Sequence, residues 1–159
     1  MIDIKREFLK KQDIKKLNDL VLSNLFEWFI QGVYDEQDTQ KQFVHIFYKN
    51  DRPSSPHFPI IKPILDRLDI KKLMRVKLNL LTKTNEIVEH DYHKDSESSD
   101  ALTSILYLNT NNGYTRFKDK KIKSEANTLI TFPSATLHSG TTCTDEGFRL
   151  VLNIVYKAF

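Results

Sequence analysis

Two histidines, one carboxylate and one arginine have the types and spacing that fit a single chemistry. They stand as His93-Lys94-Asp95, then His138 in Thr136-Leu137-His138-Ser139-Gly140, then Arg149 in Gly147-Phe148-Arg149-Leu150. Side chains at i and i+2 of a strand point the same way, so His93 and Asp95 can reach one metal ion. His138 follows after three candidate strands and can return opposite that pair. Two histidines and a carboxylate form the facial triad of non-haem Fe(II), which leaves three positions for a chelating co-substrate and O2. Metal binding takes the neutral imidazole and the ionised carboxylate. Arg149 shares a strand face with Val151, Asn153 and Val155, while Phe148, Leu150, Leu152, Ile154 and Tyr156 occupy the other. An arginine in so apolar a strand is costly unless paired. The far end of a dicarboxylate would pair with it bidentately. On the candidate strand 101–109, Tyr107 offers a hydroxyl to the same carboxylate.

Each residue also has a plain structural use. His138 could be a hydrogen-bonded turn histidine, and Arg149 could pair with Asp145 or Glu146. Their co-occurrence, in order and on candidate strands, favours a metal site. His90, beside Asp91, is expected to be exposed near the entrance and becomes a substitute ligand under a shifted register. His45 and His57 fall in the first half and have weaker claims. Cys143 has no base at suggestive spacing, and Ser134 and Ser139 lack a nucleophile-elbow context. Four glycines in the whole chain cannot build a phosphate loop.

The elements that must position these residues change period along the chain. Ile14, Leu17, Val21, Leu25, Trp28 and Phe29 recur at helical spacing, which predicts a helix over about 13–30 with Asp13 as N-cap. Ile61, Ile64, Leu65 and Leu68 predict a second helix, and 42–48 alternates like a strand. From about residue 73 the period is two, with candidate strands at 73–82, 86–93, 101–109, 114–117, 126–132, 136–139 and 147–157. Many short strands with polar turns predict an antiparallel sandwich. The expected fold class is α+β: a jelly-roll core over 73–159, with N-terminal helices from 1–72 packed on one sheet, in a single domain of 159 residues.

Composition narrows the partners. A single cysteine excludes an internal disulfide and fits a reducing compartment. With no run of about 18 apolar residues and no apolar leader after Met1, neither a membrane partner nor secretion is expected, and the cytoplasm is the default. The net charge is +3. The basic run Arg116-Phe117-Lys118-Asp119-Lys120-Lys121-Ile122-Lys123 reads first as the solvated tip or edge of a hairpin, and second as a phosphate-contacting patch.

At this point the residues resemble a known family. From about residue 73 onward, Tyr92-His93-Lys94-Asp95, Leu106-Tyr107-Leu108-Asn109, Gly113-Tyr114-Thr115-Arg116-Phe117, Leu129-Ile130-Thr131-Phe132-Pro133, Leu137-His138-Ser139-Gly140 and Arg149-Leu150-Val151-Leu152-Asn153 are similar to the Fe(II)/2-oxoglutarate-dependent dioxygenases. The likeness is to small prolyl-4-hydroxylase-like members of bacteria and viruses. Phe26-Glu27-Trp28-Phe29 resembles their N-terminal part more loosely. The resemblance implies a double-stranded β-helix, cupin-like, with the metal at one open end. It implies that His93, Asp95 and His138 hold Fe(II) as the catalytic centre, and that Arg149 binds the C5 carboxylate of 2-oxoglutarate, assisted by Tyr107. Asn79 looks like the strand asparagine that some relatives place at the other end of 2-oxoglutarate. O2 is the oxidant, with ascorbate as an accessory reductant.

The chain departs from the family pattern at Leu81, where many relatives have tyrosine, and at Val151, where serine or threonine is frequent. It departs again at Asn112-Gly113-Tyr114-Thr115 in place of Gly-Gly-Glu-Thr. Arg75 and Lys77 share the face of Asn79 and compete with Arg149 for the carboxylate. The implied reaction is hydroxylation of a C–H bond in a peptide, protein or small molecule, with release of succinate and CO2. Asp95 argues against a halogenase, which needs that coordination position free. The alternatives are a demethylase or hydroxylase of nucleic acid using the 116–123 patch, and a non-catalytic jelly-roll binding or structural protein.

Overall fold

The structure is a computed structural model that describes residues 1–33 and 37–159. Among these residues eleven strands carry it: β1 (Asp3–Lys5), β2 (Phe29–Gly32), β3 (Lys41–Lys49), β4 (Arg52–Pro53), β5 (Ile70–Thr82), β6 (Ala101–Tyr107), β7 (Tyr114–Phe117), β8 (Lys120–Lys123), β9 (Thr128–Pro133), β10 (His138–Ser139) and β11 (Phe148–Ala158). Helix α1 spans Lys11–Val21, and a 3-10 turn at Phe58–Ile61 runs into the short α2 (Lys62–Leu65). No helix among the described residues is long and apolar enough to cross a membrane.

Seven strands form the path of the large antiparallel sheet, in the order β1-β9-β6-β11-β5-β3-β2, with β4 appended to β3. The small sheet is β10-β7-β8. β11 is central because both of its faces are covered, which is why its sequence is almost continuously apolar. Leu150, Leu152 and Ile154 on one face join a buried cluster with Leu78 and Leu106, with Leu17 and Val21 of α1, and with Ile61 and Ile64. Each such side chain stabilises the fold by roughly 1.5–3 kcal/mol. On the opposite face Val151, Ile105, Tyr107, Ile130 and Phe132 form a second cluster with Phe117 of the small sheet. The result is a jelly-roll-like sandwich whose two sheets are very unequal.

Several expectations need correction. The helix expected over 13–30 ends at Val21, and its N-cap is Lys10, with Asp13 inside the first turn. Ser23 and Trp28 end it: the Ser23 hydroxyl donates to the Leu20 carbonyl, and the Trp28 indole N–H donates to the Val21 carbonyl at 3.1 Å. Phe29–Gly32 then gains a ladder with Lys41–Val44. That pairing outweighs helical spacing, and Leu25 and Phe29 are left exposed. The second helix covers only Lys62–Leu65 after its 3-10 turn. The strand expected at 86–93 is reduced to the isolated bridges Glu89↔Thr141 and His93↔His138. The division at residue 72 is not a sheet boundary, since β1, β2 and β3 all belong to the large sheet. The basic run 116–123 spans the β7–β8 hairpin, with β8 at the edge of the small sheet.

Candidate metal centre

The His93↔His138 bridge is what brings the two histidines together. Each N–H donates to the other residue's carbonyl, at 2.9 and 3.0 Å. Directly opposed residues of an antiparallel pair share a face, and the two imidazole centroids lie 4.6 Å apart. Asp95, two residues on, is anchored by its own N–H donating to the Ser134 carbonyl at 3.1 Å. One ligand atom from each of His93, Asp95 and His138 lies within 4.8 Å of the other two, an arrangement that could hold a metal ion. His138 Nδ1 faces the Thr136 carbonyl at 2.9 Å. A carbonyl can only accept, so Nδ1 carries the proton and the Nε2 lone pair is left for a metal. Nε2 faces Asp95 Oδ2 at 3.3 Å, close to the roughly 3 Å between cis ligands on bonds of about 2.1 Å. The gap is bridged either by a proton on Nε2, which makes His138 a donor to Asp95, or by a metal ion in its place.

Asp95 is held as an anion by its surroundings. Arg75 donates to Oδ1 at 2.7 Å, while Asn153 Nδ2 and the Thr103 hydroxyl each donate to Oδ2 at 3.0 Å. Asn153 Oδ1 accepts a second bond from the same Arg75 nitrogen at 3.0 Å. Burial alone would raise the Asp95 carboxyl, but His138, Arg75 and Asn153 together hold it far below the ordinary carboxylate range. Burial, and then the facing His138, lower the His93 imidazole and favour the neutral form that ligates.

Arg149 is 2% exposed and lines the same cavity, at the end away from the metal ligands' strand bridge. Its Nε donates to the Ser124 hydroxyl at 2.8 Å and one terminal nitrogen to the Thr115 hydroxyl at 3.2 Å. Among the described residues no carboxylate pairs with it. Asp145 instead accepts from the Asn112 N–H, and Glu146 makes no ion pair among the described residues. A buried guanidinium whose partners are all neutral is a ready anion site. Tyr107 reaches Arg149 by way of Thr115, donating to the same hydroxyl oxygen at 2.8 Å. Its ring lies 5.7 Å from the guanidinium carbon, and burial pushes its hydroxyl pKa up. Asn79 faces Val151 across the β5–β11 ladder, lines the cavity, and its buried Oδ1 has no partner among the described residues.

His90 differs from its expected place. It is 5% exposed, lines the cavity, and its Nδ1 is likewise without a partner among the described residues. Burial and then the Arg149 charge keep it neutral. Its backbone N–H donates to the Gly140 carbonyl, which turns the side chain inward. His45 is structural: its two ring nitrogens meet the Glu27 carbonyl and the Ser55 hydroxyl, both at 2.7 Å. His57 packs beside it and Phe26. Thr103 and Asn153, which orient Asp95, and Ser124 and Thr115, which seat Arg149, are the residues to which motif reading assigns no role. Asn153 alone carried a signal, as a polar residue four places after Arg149 on the same face.

No protein-family model matches the sequence, and no curated protein is detectably similar to it. Solved structures are. A prolyl-4-hydroxylase from Pseudomonas putida superposes with a TM-score of 0.66 at 14% identity, covering 98% of this chain and 92% of that one. The viral collagen prolyl hydroxylase of Paramecium bursaria Chlorella virus-1 gives 0.62 at 18% identity, covering 99% and 90%. A 2OG-Fe(II) oxygenase family oxidoreductase from Burkholderia pseudomallei gives 0.65 at 13% identity, covering 99% and 86%. The fold is that of the 2OG-Fe(II) oxygenases. In this oxygenase fold the cavity with His93, Asp95, His138 and Arg149 opens between the two sheets, beneath the inner face of β5 and β11.

Proposed function

We propose that the chain is a single-domain Fe(II)- and 2-oxoglutarate-dependent dioxygenase that hydroxylates a C–H bond of a peptide, protein or small-molecule substrate. The observation that carries this reading is the pairing, in one cavity, of a three-ligand His/Asp/His set with a buried arginine that meets no carboxylate among the described residues. When bound, the iron and 2-oxoglutarate supply the oxidising chemistry, in which O2 is consumed and succinate and CO2 are released.

The chain's own residues provide geometry and charge. His93, Asp95 and His138 hold the metal on one face. Arg75, Asn153 and Thr103 keep Asp95 ionised and aimed. Arg149 takes the far carboxylate of 2-oxoglutarate, positioned by Ser124, Thr115 and, through Thr115, by Tyr107. Asn79 and His90, whose buried Oδ1 and Nδ1 have no partner among the described residues, would offer these atoms to the co-substrate. Leu81, Ile105 and Val151 line the cavity between the charged ends and limit water. The helices between residues 11 and 65 serve as the support of the large sheet, and the lone buried Cys143 fits a reducing compartment such as the cytoplasm.

The test is succinate formation from 2-oxoglutarate under O2 with added Fe(II), with ascorbate as reductant. Metal-dependent turnover, coupled or slowly uncoupled, is expected. Equal succinate formation in wild type and in His93→Ala, Asp95→Ala and His138→Ala would remove the metal assignment.

A further inference from the structure

Arg75 and Lys77 stand two residues apart on β5, so their side chains leave one face of the strand at the metal end of the cavity. Lys77 sits opposite Asn153 in the ladder and lines the cavity. It makes no side-chain hydrogen bond or ion pair among the described residues. Burial, and then the Arg75 charge beside it, bring its ammonium down to about 8, which leaves it mostly charged at neutral pH.

Among the described residues the charges around the cavity do not balance. Those lining it are Lys77, Asp95 and Arg149, and Arg75 enters through its bond to Asp95. Asp95 offsets one of these three cations. A divalent metal and a doubly charged dicarboxylate cancel one another, so loading the centre as proposed above leaves two positive charges unmatched. Arg149 has the far carboxylate, which puts the surplus at the metal end, on Arg75 and Lys77. Both side chains are only partly exposed, Arg75 to 30%, and a partly desolvated charge is stabilised by a counter-charge; the substrate is the reactant still to enter there. An uncharged segment would leave the surplus standing.

We propose that the substrate carries an anionic group, a carboxylate or a phosphate, beside the carbon it presents to the metal, and that Lys77 is the residue that selects it, with Arg75 as the flanking cation. This rests on the reading of the centre as an Fe(II)/2-oxoglutarate site. It makes Lys77 a specificity residue and leaves co-substrate binding to Arg149.

The test uses Mn(II) in place of iron, with 2-oxoglutarate bound. Water-proton relaxation reports Mn(II) on the protein, and calorimetry reports 2-oxoglutarate. The 31P relaxation of inorganic phosphate and the 13C relaxation of acetate report an anion close to the metal. Saturable relaxation of one anion is expected, weakened by about tenfold or more in Lys77→Met and largely restored in Lys77→Arg, with Mn(II) and 2-oxoglutarate affinities unchanged. The anion that responds identifies phosphoryl or carboxyl chemistry. Relaxation undiminished in Lys77→Met would mean that the anion sits on the metal itself, and overturns the proposal. So would a failure of both anions to respond, or weaker 2-oxoglutarate binding in Lys77→Met. If wild type bound no Mn(II) or no 2-oxoglutarate, the reading of the centre would fail first and take this proposal with it, an outcome distinct from the other three.

Discussion

Gly113 and Arg149 exclude a side chain from the same space: a Cβ on Gly113 would lie 2.6 Å from Arg149 Cδ and 2.7 Å from the Thr142 carbonyl oxygen. Neither neighbour gives way cheaply, because one is the stem of a fully buried side chain and the other is backbone. Gly140 closes the other side, where a Cβ would meet an Arg149 terminal nitrogen at 3.3 Å. The arginine is therefore fitted between two backbone segments and aimed at the cavity by that fit. Gly113→Ala should lower stability by about 1–3 kcal/mol through overpacking and weaken 2-oxoglutarate binding together with it. Thermal unfolding and calorimetric titration of the Mn(II)-loaded protein check both. An unaltered melting temperature would mean that the loop has room the structure does not show.

Arg149 itself should behave as a binding group rather than a structural one. Arg149→Met removes a buried charge whose partners are neutral, so the metal-free protein should be no less stable. Two lost charge-assisted bonds of roughly 1.5–3 kcal/mol each should weaken 2-oxoglutarate binding by at least about 100-fold, with Mn(II) affinity spared. Should 2-oxoglutarate bind Arg149→Met normally, Arg75 or Lys77 becomes the carboxylate partner.

Asn153 gives the clearest positioning effect. It holds Asp95 and Arg75 at once, and residues that orient a ligand typically contribute 10–100-fold to metal affinity. Asn153→Ala should cost about that much in Mn(II) affinity, against losses above about 100-fold for His93→Ala or His138→Ala. Asn153→Asp keeps the shape and adds a second carboxylate next to Asp95, so it should not rescue. Water-proton relaxation on the four variants orders them, and parity between Asn153→Ala and wild type would make its bonds to Asp95 incidental.

What could be read from the chain divides along a physical line. His93 and Asp95 lie outside any strand and join the others through the isolated His93↔His138 bridge, while His138 and Arg149 stand on strands where direction follows from parity. The long strands β5, β6 and β11 are legible for the same reason. Phe29–Gly32 was not, because helical spacing of Leu25, Trp28 and Phe29 arises from side chains with separate uses: Trp28 closes the end of α1 while Phe26 packs on His45 and Phe47. The inward turn of His90 depends on a bond to Gly140, 50 residues later in the chain, and nothing local signals it. The binding of Arg75 to Asp95 is equally non-local, since face-sharing on β5 says which side Arg75 occupies and not which acid meets it.

Glu89 supplies a pH-dependent prediction outside the metal centre. It gathers Lys121 at 2.8 Å, the Tyr114 hydroxyl and the Arg116 guanidinium, and so ties the 86–93 segment to the β7–β8 hairpin. The Lys121 bond first, then Tyr114, with Arg116 adding its charge, hold its carboxyl down to about 2, against roughly 4.3 for a free glutamate. A carboxyl with a depressed folded-state pKa binds fewer protons folded than unfolded. Its contribution is therefore complete above about pH 4.3 and is lost as pH falls toward 2. Glu89→Gln removes that proton linkage and leaves that of Asp95 in place. The slope of stability against pH between about 4.3 and 2 should be flatter in Glu89→Gln by up to one proton, with the profiles parallel above that window. Urea midpoints at a series of pH values measure it, and superimposable slopes for the two proteins would show that the cluster does not hold Glu89 as an anion.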